Sequence, residues 1–118
     1  MREIKFRIWD DKNAKMRYTD QEEVSMEMFM EANRDGRLMV NTGMRDVYDV
    51  EIYEGDFIDL YNTYKEEYFK GKVKYIESAA EFVLESEQLT RHKRWINYDM
   101  KVVGNSFEHS RYATEEEE

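Results

Sequence analysis

Hydrophobic and polar residues alternate from the start of the chain. The stretch Glu3 to Trp9 places Ile4, Phe6 and Ile8 on one face and Lys5, Arg7 and Trp9 on the other, the two-residue period of a half-buried strand. Asp10 to Lys15 has the composition of a turn, and Met16-Arg17-Tyr18 resumes the alternation, predicting an antiparallel hairpin with a longer loop. Asp20 to Arg37 carries two patterns at once. Asp20 with Glu23 matches a capping box, and the Glu, Met and Ala content suits a helix from about 21 to 33 ending near Gly36. Val24, Met26, Met28 and Met30 also alternate with polar partners, and Asp35-Gly36 offers a hairpin turn into Leu38-Met39-Val40. A strand sorts every apolar residue but Phe29 onto one face, whereas a helix spreads them around its circumference, so the pattern favours the hairpin while leaving the helix open.

From residue 50 the pattern becomes one of short strands punctuated by glycine. Val50 to Tyr53 leads through Glu54-Gly55-Asp56 into the extended run Phe57 to Tyr61. Gly55 suits the positive φ of a tight turn or bulge, and the Asp56 carboxylate can accept nearby backbone N–H groups. Gly71 to Ile76 and Glu81 to Leu84 predict a further hairpin around Ser78 to Ala80, and Lys101-Val102-Val103 runs into the turn pair Gly104-Asn105. Leu89, His92 or Lys93, and Ile96 stand at helical spacing and predict one short helix. The chain from Ser110 is expected to fray.

Composition narrows the classes of function. With 118 residues the chain fits one compact domain, and without cysteine it has neither a disulfide framework nor a thiolate metal site. No apolar run is long enough for a signal peptide or a membrane span, which implies a soluble, cytoplasmic protein. The formal net charge is -9; setting aside the terminal run Glu115 to Glu118 leaves 23 acids against 18 bases, a balance of -5. That sign disfavours generic binding to a phosphate backbone and suits solubility, a basic partner, or mimicry of nucleic acid by a carboxylate array.

Three blocks carry a resemblance to a known family. They are Ile4-Lys5-Phe6-Arg7-Ile8-Trp9-Asp10; then Asn41-Thr42-Gly43-Met44-Arg45-Asp46 with Glu51-Ile52-Tyr53-Glu54-Gly55-Asp56-Phe57-Ile58; and Val102-Val103-Gly104-Asn105-Ser106-Phe107-Glu108. Together they resemble the YopX family of small bacteriophage and prophage proteins, whose usual forms are close to K-F-R-x-W-D, T-G-L-x-D-x-x-G-x-x-I-Y-E-G-D and V-I-G-N-I-Y-E-N. The likeness runs from about residue 2 to about 110. Val47-Tyr48-Asp49 replaces the family's second turn glycine and Ser106 stands in place of an aliphatic. The resemblance implies a mainly β fold, with antiparallel hairpins in an N-terminal lobe of about 1–46, an SH3-like barrel in a lobe of about 47–110, and at most one short helix. A disordered acidic tail, 111–118, completes the expected organisation. The resemblance also implies self-association in a bacterial host cell, and it implies no activity.

The candidate chemistry is sparse. Glu54 and Asp56 flank Gly55 as a carboxylate pair, and His92 and His109 are the only histidines, without metal-ligand spacing. No nucleophile elbow, P-loop or dinucleotide fingerprint is present. We therefore expect no enzyme, cofactor or metal. Gly43, Gly55, Asp56, Gly104 and Asn105 are assigned to structural turns. Arg91, Lys93, Arg94, Trp95 and Lys101 interleave cations with an aromatic ring and form the candidate nucleic-acid contact, set against the alternative of a solvated helix face. Met26, Met28, Phe29 and Met30 form the candidate interface, because the thioether adapts to irregular partners. The expected role is a self-associating, non-catalytic module that binds a host or phage protein, with no membrane partner. The alternatives are nucleic-acid binding through 91–101 and an acidic DNA mimic that inhibits a host protein.

Overall fold

The computed structural model describes residues 5–62, 64, 66–78, 80–85 and 98–108, and residues 89–91 at the level of the backbone. The fold is mainly β, with two antiparallel sheets and, among the described residues, one helix. The elements in chain order are β1 (Phe6–Asp10), β2 (Lys15–Tyr18), α1 (Met26–Arg34), β3 (Leu38–Arg45), β4 (Glu51–Tyr53), β5 (Asp56–Asn62), β6 (Glu67–Ile76), β7 (Glu81–Glu85), β8 (Leu89–Arg91) and β9 (Asp99–Asn105). One sheet has the order β2-β1-β3-β4 and the other β8-β7-β6-β5-β9. The chain forms two compact units, Met1–Asn41 and Thr42–Glu118.

In the first unit β1 pairs antiparallel with β2 and with the start of β3, placing Ile8 opposite both Arg17 and Leu38. The alternation of β1 is present, but both of its faces are covered: Ile8 is fully buried and so is Arg7, whose Nε donates to Met39 Sδ at 3.4 Å. Residues 26–34 are helical, which corrects the hairpin favoured above. Ser25 in extended conformation caps the helix, its Oγ accepting from Met28 N at 3.1 Å, Glu27 stands in the first turn, and Gly36 at φ +74° ends the segment. Phe29, the residue that a strand left stranded on the wrong face, lies one helical step from the fully buried Ala32 and packs edge-on against Phe6 at 5.4 Å. The apolar stripe is thus Phe29 with Ala32, while Met26 and Met30 project outward.

In the second unit the five-stranded sheet turns one face to the core. Ile58 and Leu60 of β5, Val73 of β6, Leu84 of β7 and Ile52 of β4 form a fully buried cluster, with Phe69, Phe82, Met100 and Val102 packed against it. Each of those aliphatic side chains contributes roughly 2 kcal/mol by leaving water. The register accounts for this set, since Ile58 faces Val102, Leu60 faces Phe69 and Met100, and Val73 faces Leu84. The hairpin expected around 78–80 is the β6–β7 turn, with Ala80 at φ +52°.

The short helix expected over Leu89 to Ile96 is also corrected. Leu89–Arg91 is strand, pairing Leu84 with Thr90 and Val83 with Arg91 at the end of the sheet. Three residues at helical spacing do not outweigh a neighbouring strand that offers a row of unpaired backbone groups. Residues 92–97 and the tail lie outside the described residues.

Gly71 sits where β6 crosses closest to β7. A Cβ built there meets the Glu85 carbonyl oxygen at 2.5 Å and Leu84 Cγ at 3.0 Å. Gly71→Ala is expected to destabilise the fold by about 1–3 kcal/mol through overpacking against backbone, read as a lower urea midpoint with an unchanged slope.

Candidate functional site

The polar residues of the sequence blocks converge on backbone groups. Thr42 is buried, and its Oγ1 donates to the Ile52 carbonyl at 2.8 Å while accepting from Met44 N at 3.1 Å, bracketing Gly43 at φ +84°. This fixes the path of β3 through Gly43 beside β4. Asp46 follows, and it is buried. Its Oδ1 accepts from Tyr48 N at 2.8 Å and Val50 N at 2.9 Å, and its Oδ2 accepts from Val102 N at 3.0 Å. Val47 N donates to the Met100 carbonyl at 2.9 Å, so the loop 46–50 is fastened along β9 at two points. Asp49 takes the left-handed conformation, φ +65°, at the position where the family pattern has its second glycine. Aspartate tolerates that region better than most side chains, and its N–H closes the turn onto the Asp46 carbonyl at 3.0 Å.

Gly55, at φ +90°, donates its N–H to the Val73 carbonyl and accepts from Ser106 N, both at 2.9 Å. The Ser106 contact runs through the backbone, so the departure from an aliphatic residue there leaves it intact. Asp56 is buried and its Oδ2 accepts from Tyr53 N at 2.8 Å across the turn. Asn105, opposite Asp56 in the sheet, accepts from Phe107 N and Glu108 N through Oδ1 and donates to Glu108 Oε1 through Nδ2. Gly104 lies in β9 opposite Phe57, beside a register shift. Of the five residues assigned to turns from sequence, Gly55 lies in the β4–β5 turn, whereas Gly43 is within β3, Asp56 begins β5, and Gly104 and Asn105 end β9. Among the described residues no group of three or more His, Asp or Glu is arranged to hold a metal ion.

Asp10 performs the corresponding task in the first unit. Its Oδ1 accepts from Lys12 N and Asn13 N, and its Oδ2 from Asn13 Nδ2 at 2.9 Å and Arg17 Nε at 2.8 Å. The Asn13 amide, then Arg17, hold the carboxyl down from 3.8 to about 2, overriding the opposing effect of desolvation. Arg17 is raised in turn, by Asp10 first and then by Glu22.

A profile for YopX protein matches residues 19–112. The chain belongs to the YopX family. No curated protein matches it. Within that span, Thr42, Asp46, Asp56 and Asn105 of the blocks described above hold backbone groups at turns and strand ends.

Those side chains fall into separate places. Met26 and Met30, of the candidate interface, are 71% and 63% exposed on α1, whereas Met28 and Phe29 are half-buried. Arg91 belongs to β8 and Lys101 to exposed β9; Lys93, Arg94 and Trp95, with both histidines, lie outside the described residues. Two groups were missed by local patterning. Val47, Tyr48 and Val50 are exposed on the loop that Asp46 fastens. Tyr61 and Tyr68 are exposed and directly opposite one another on β5 and β6. The replacement of a turn glycine at 49 signalled the first group; the second becomes visible only with the strand register.

Two outcomes follow from these networks. Asp46→Ala removes the acceptor of three backbone N–H groups and is expected to destabilise the fold by about 2–4 kcal/mol, with loss of hydrogen-exchange protection at the Val102 amide. Asp10 releases its proton more readily in the native state than in the unfolded chain, so its stabilisation is complete above about pH 4 and disappears as pH falls toward 2. Asp10→Asn should flatten that part of the melting-temperature profile and leave a neutral-pH deficit.

Proposed function

We propose that this YopX protein is a non-catalytic phage or prophage accessory factor that self-associates and acts in the bacterial cytoplasm by binding another protein. In this reading the second unit is an SH3-like half-barrel serving as a rigid platform. The observation that carries it is the loop 46–50. Among the described residues its backbone is held by seven hydrogen bonds involving Asp46, Val47 and Asp49, yet Val47, Tyr48 and Val50 point outward, Tyr48 at 69% exposure. A rigid loop that displays tyrosine between two valines presents contact area at little loss of side-chain entropy, which favours protein recognition. The exposed Met26 and Met30 of α1 supply a second adaptable surface in the first unit. Among the described residues no helix is long and apolar enough to cross a membrane.

Sedimentation of the full chain should give a mass above the 14.4 kDa of one copy. Affinity capture from lysogenic cells at roughly 0.5 M salt, where surface charge pairs are screened, should retain a defined partner. Tyr48→Ser with Val50→Ser should reduce that retention at least tenfold while the far-ultraviolet spectrum stays unchanged. A monomer whose captured set is indifferent to these substitutions would refute the reading.

A further inference from the structure

On the face of the five-stranded sheet away from the Ile58 cluster, three lysines form no ion pair among the described residues. Lys70 of β6 and Lys101 of β9 stand on either side of Asp59 in the register, and Lys72 lies two residues along from Lys70 on the same face. None of the three has an ion pair or side-chain hydrogen bond among the described residues. Glu85, directly opposite Lys72, is instead bonded to Lys74 at 3.0 Å. Asp59 provides the counter-charge between Lys70 and Lys101, but no ion pair joins it to either, and its Oδ1 is buried without a hydrogen-bond partner. Asp99, opposite Tyr61, is a further carboxylate beside this patch.

The next row of the same face is aromatic. Tyr61 and Tyr68 face one another across β5 and β6, 43% and 55% exposed. Cross-strand neighbours stand about 5 Å apart and successive same-face residues about 7 Å. The two rings therefore adjoin Lys70 and Lys101 within a patch a few residues wide.

We propose that this face binds single-stranded nucleic acid, with Tyr61 and Tyr68 stacking on bases and Lys70, Lys72 and Lys101 contacting phosphates. Flat rings exposed on a sheet with cations one row away match the two recurring parts of sequence-tolerant single-strand recognition. An acidic peptide would engage the lysines but offers no base to stack on the exposed rings. The residues of this surface are other than Val47, Tyr48 and Val50 of the loop 46–50, so it adds a ligand to the protein-binding role and is tested apart from it.

The test is fluorescence anisotropy of the full chain with a labelled oligothymidylate of about 15 nucleotides. Binding is expected at about 20 mM salt and should weaken about a hundredfold at 200 mM, the dependence for three phosphate contacts on a single strand. Tyr61→Ala with Tyr68→Ala should lower affinity at least tenfold with the spectrum of the folded protein retained. Lys70→Gln should reduce both affinity and salt dependence. Lys12→Gln, in the β1–β2 turn, removes the same charge elsewhere and should change affinity less than twofold. The proposal is overturned by absence of binding at low salt, by equal loss from Lys12→Gln and Lys70→Gln, by indifference to the tyrosine substitutions, or by polyglutamate competing as well as unlabelled oligonucleotide.

Discussion

The Asp46 carboxylate is the constraint on which the second unit turns. A single side chain accepts hydrogen bonds from two amides of its own loop and from Val102, far along the chain. Its two oxygens thereby couple the local shape of the β3–β4 connection to the position of β9. A neutral hydrogen bond contributes about 1 kcal/mol, and one to a charged acceptor contributes more. Three that share one buried acceptor cannot be lost singly without leaving the others displaced. The Thr42 bond to Ile52, the positive φ of Gly43 and the left-handed Asp49 all serve to deliver this carboxylate to the same spot.

The arrangement explains how polar sequence blocks can specify a sheet. Asp10, Asp46, Asp56 and Asn105 each accept backbone N–H groups at a turn or loop, where sheet ladders end and donors would otherwise lack partners. Five glycines and no proline leave few residues to set those turns. Ala14, Asp49, Glu66 and Ala80 consequently adopt left-handed backbone that glycine would occupy more easily. The network of side-chain acceptors and the aliphatic cluster around Ile58 and Leu60 offset that strain.

Much of the mainly β character was legible because alternation is strong in β1, β5, β6 and β7 and because turn residues separate these strands. Residues 26–34 were not legible as a helix by that measure. Methionine at every second position imitates a strand, and glutamate between them is compatible with either state. The informative features were Ser25 at a capping distance from Met28 and the pairing of Phe29 with Ala32. For the candidate surfaces, the turn roles of Gly55 and Asp56 could be read locally. The bond between Asp46 and Val102 could not, since fifty-six positions separate them. The Tyr61–Tyr68 pairing likewise arises from register, which no window within a single strand contains.

Fastening of loop 46–50 along β9 has a further consequence for assembly. β9 is the last strand on its side of the sheet, and the contacts at Met100 and Val102 occupy backbone groups that a visiting strand would need. A second chain is thereby kept from extending this sheet along β9 at those positions.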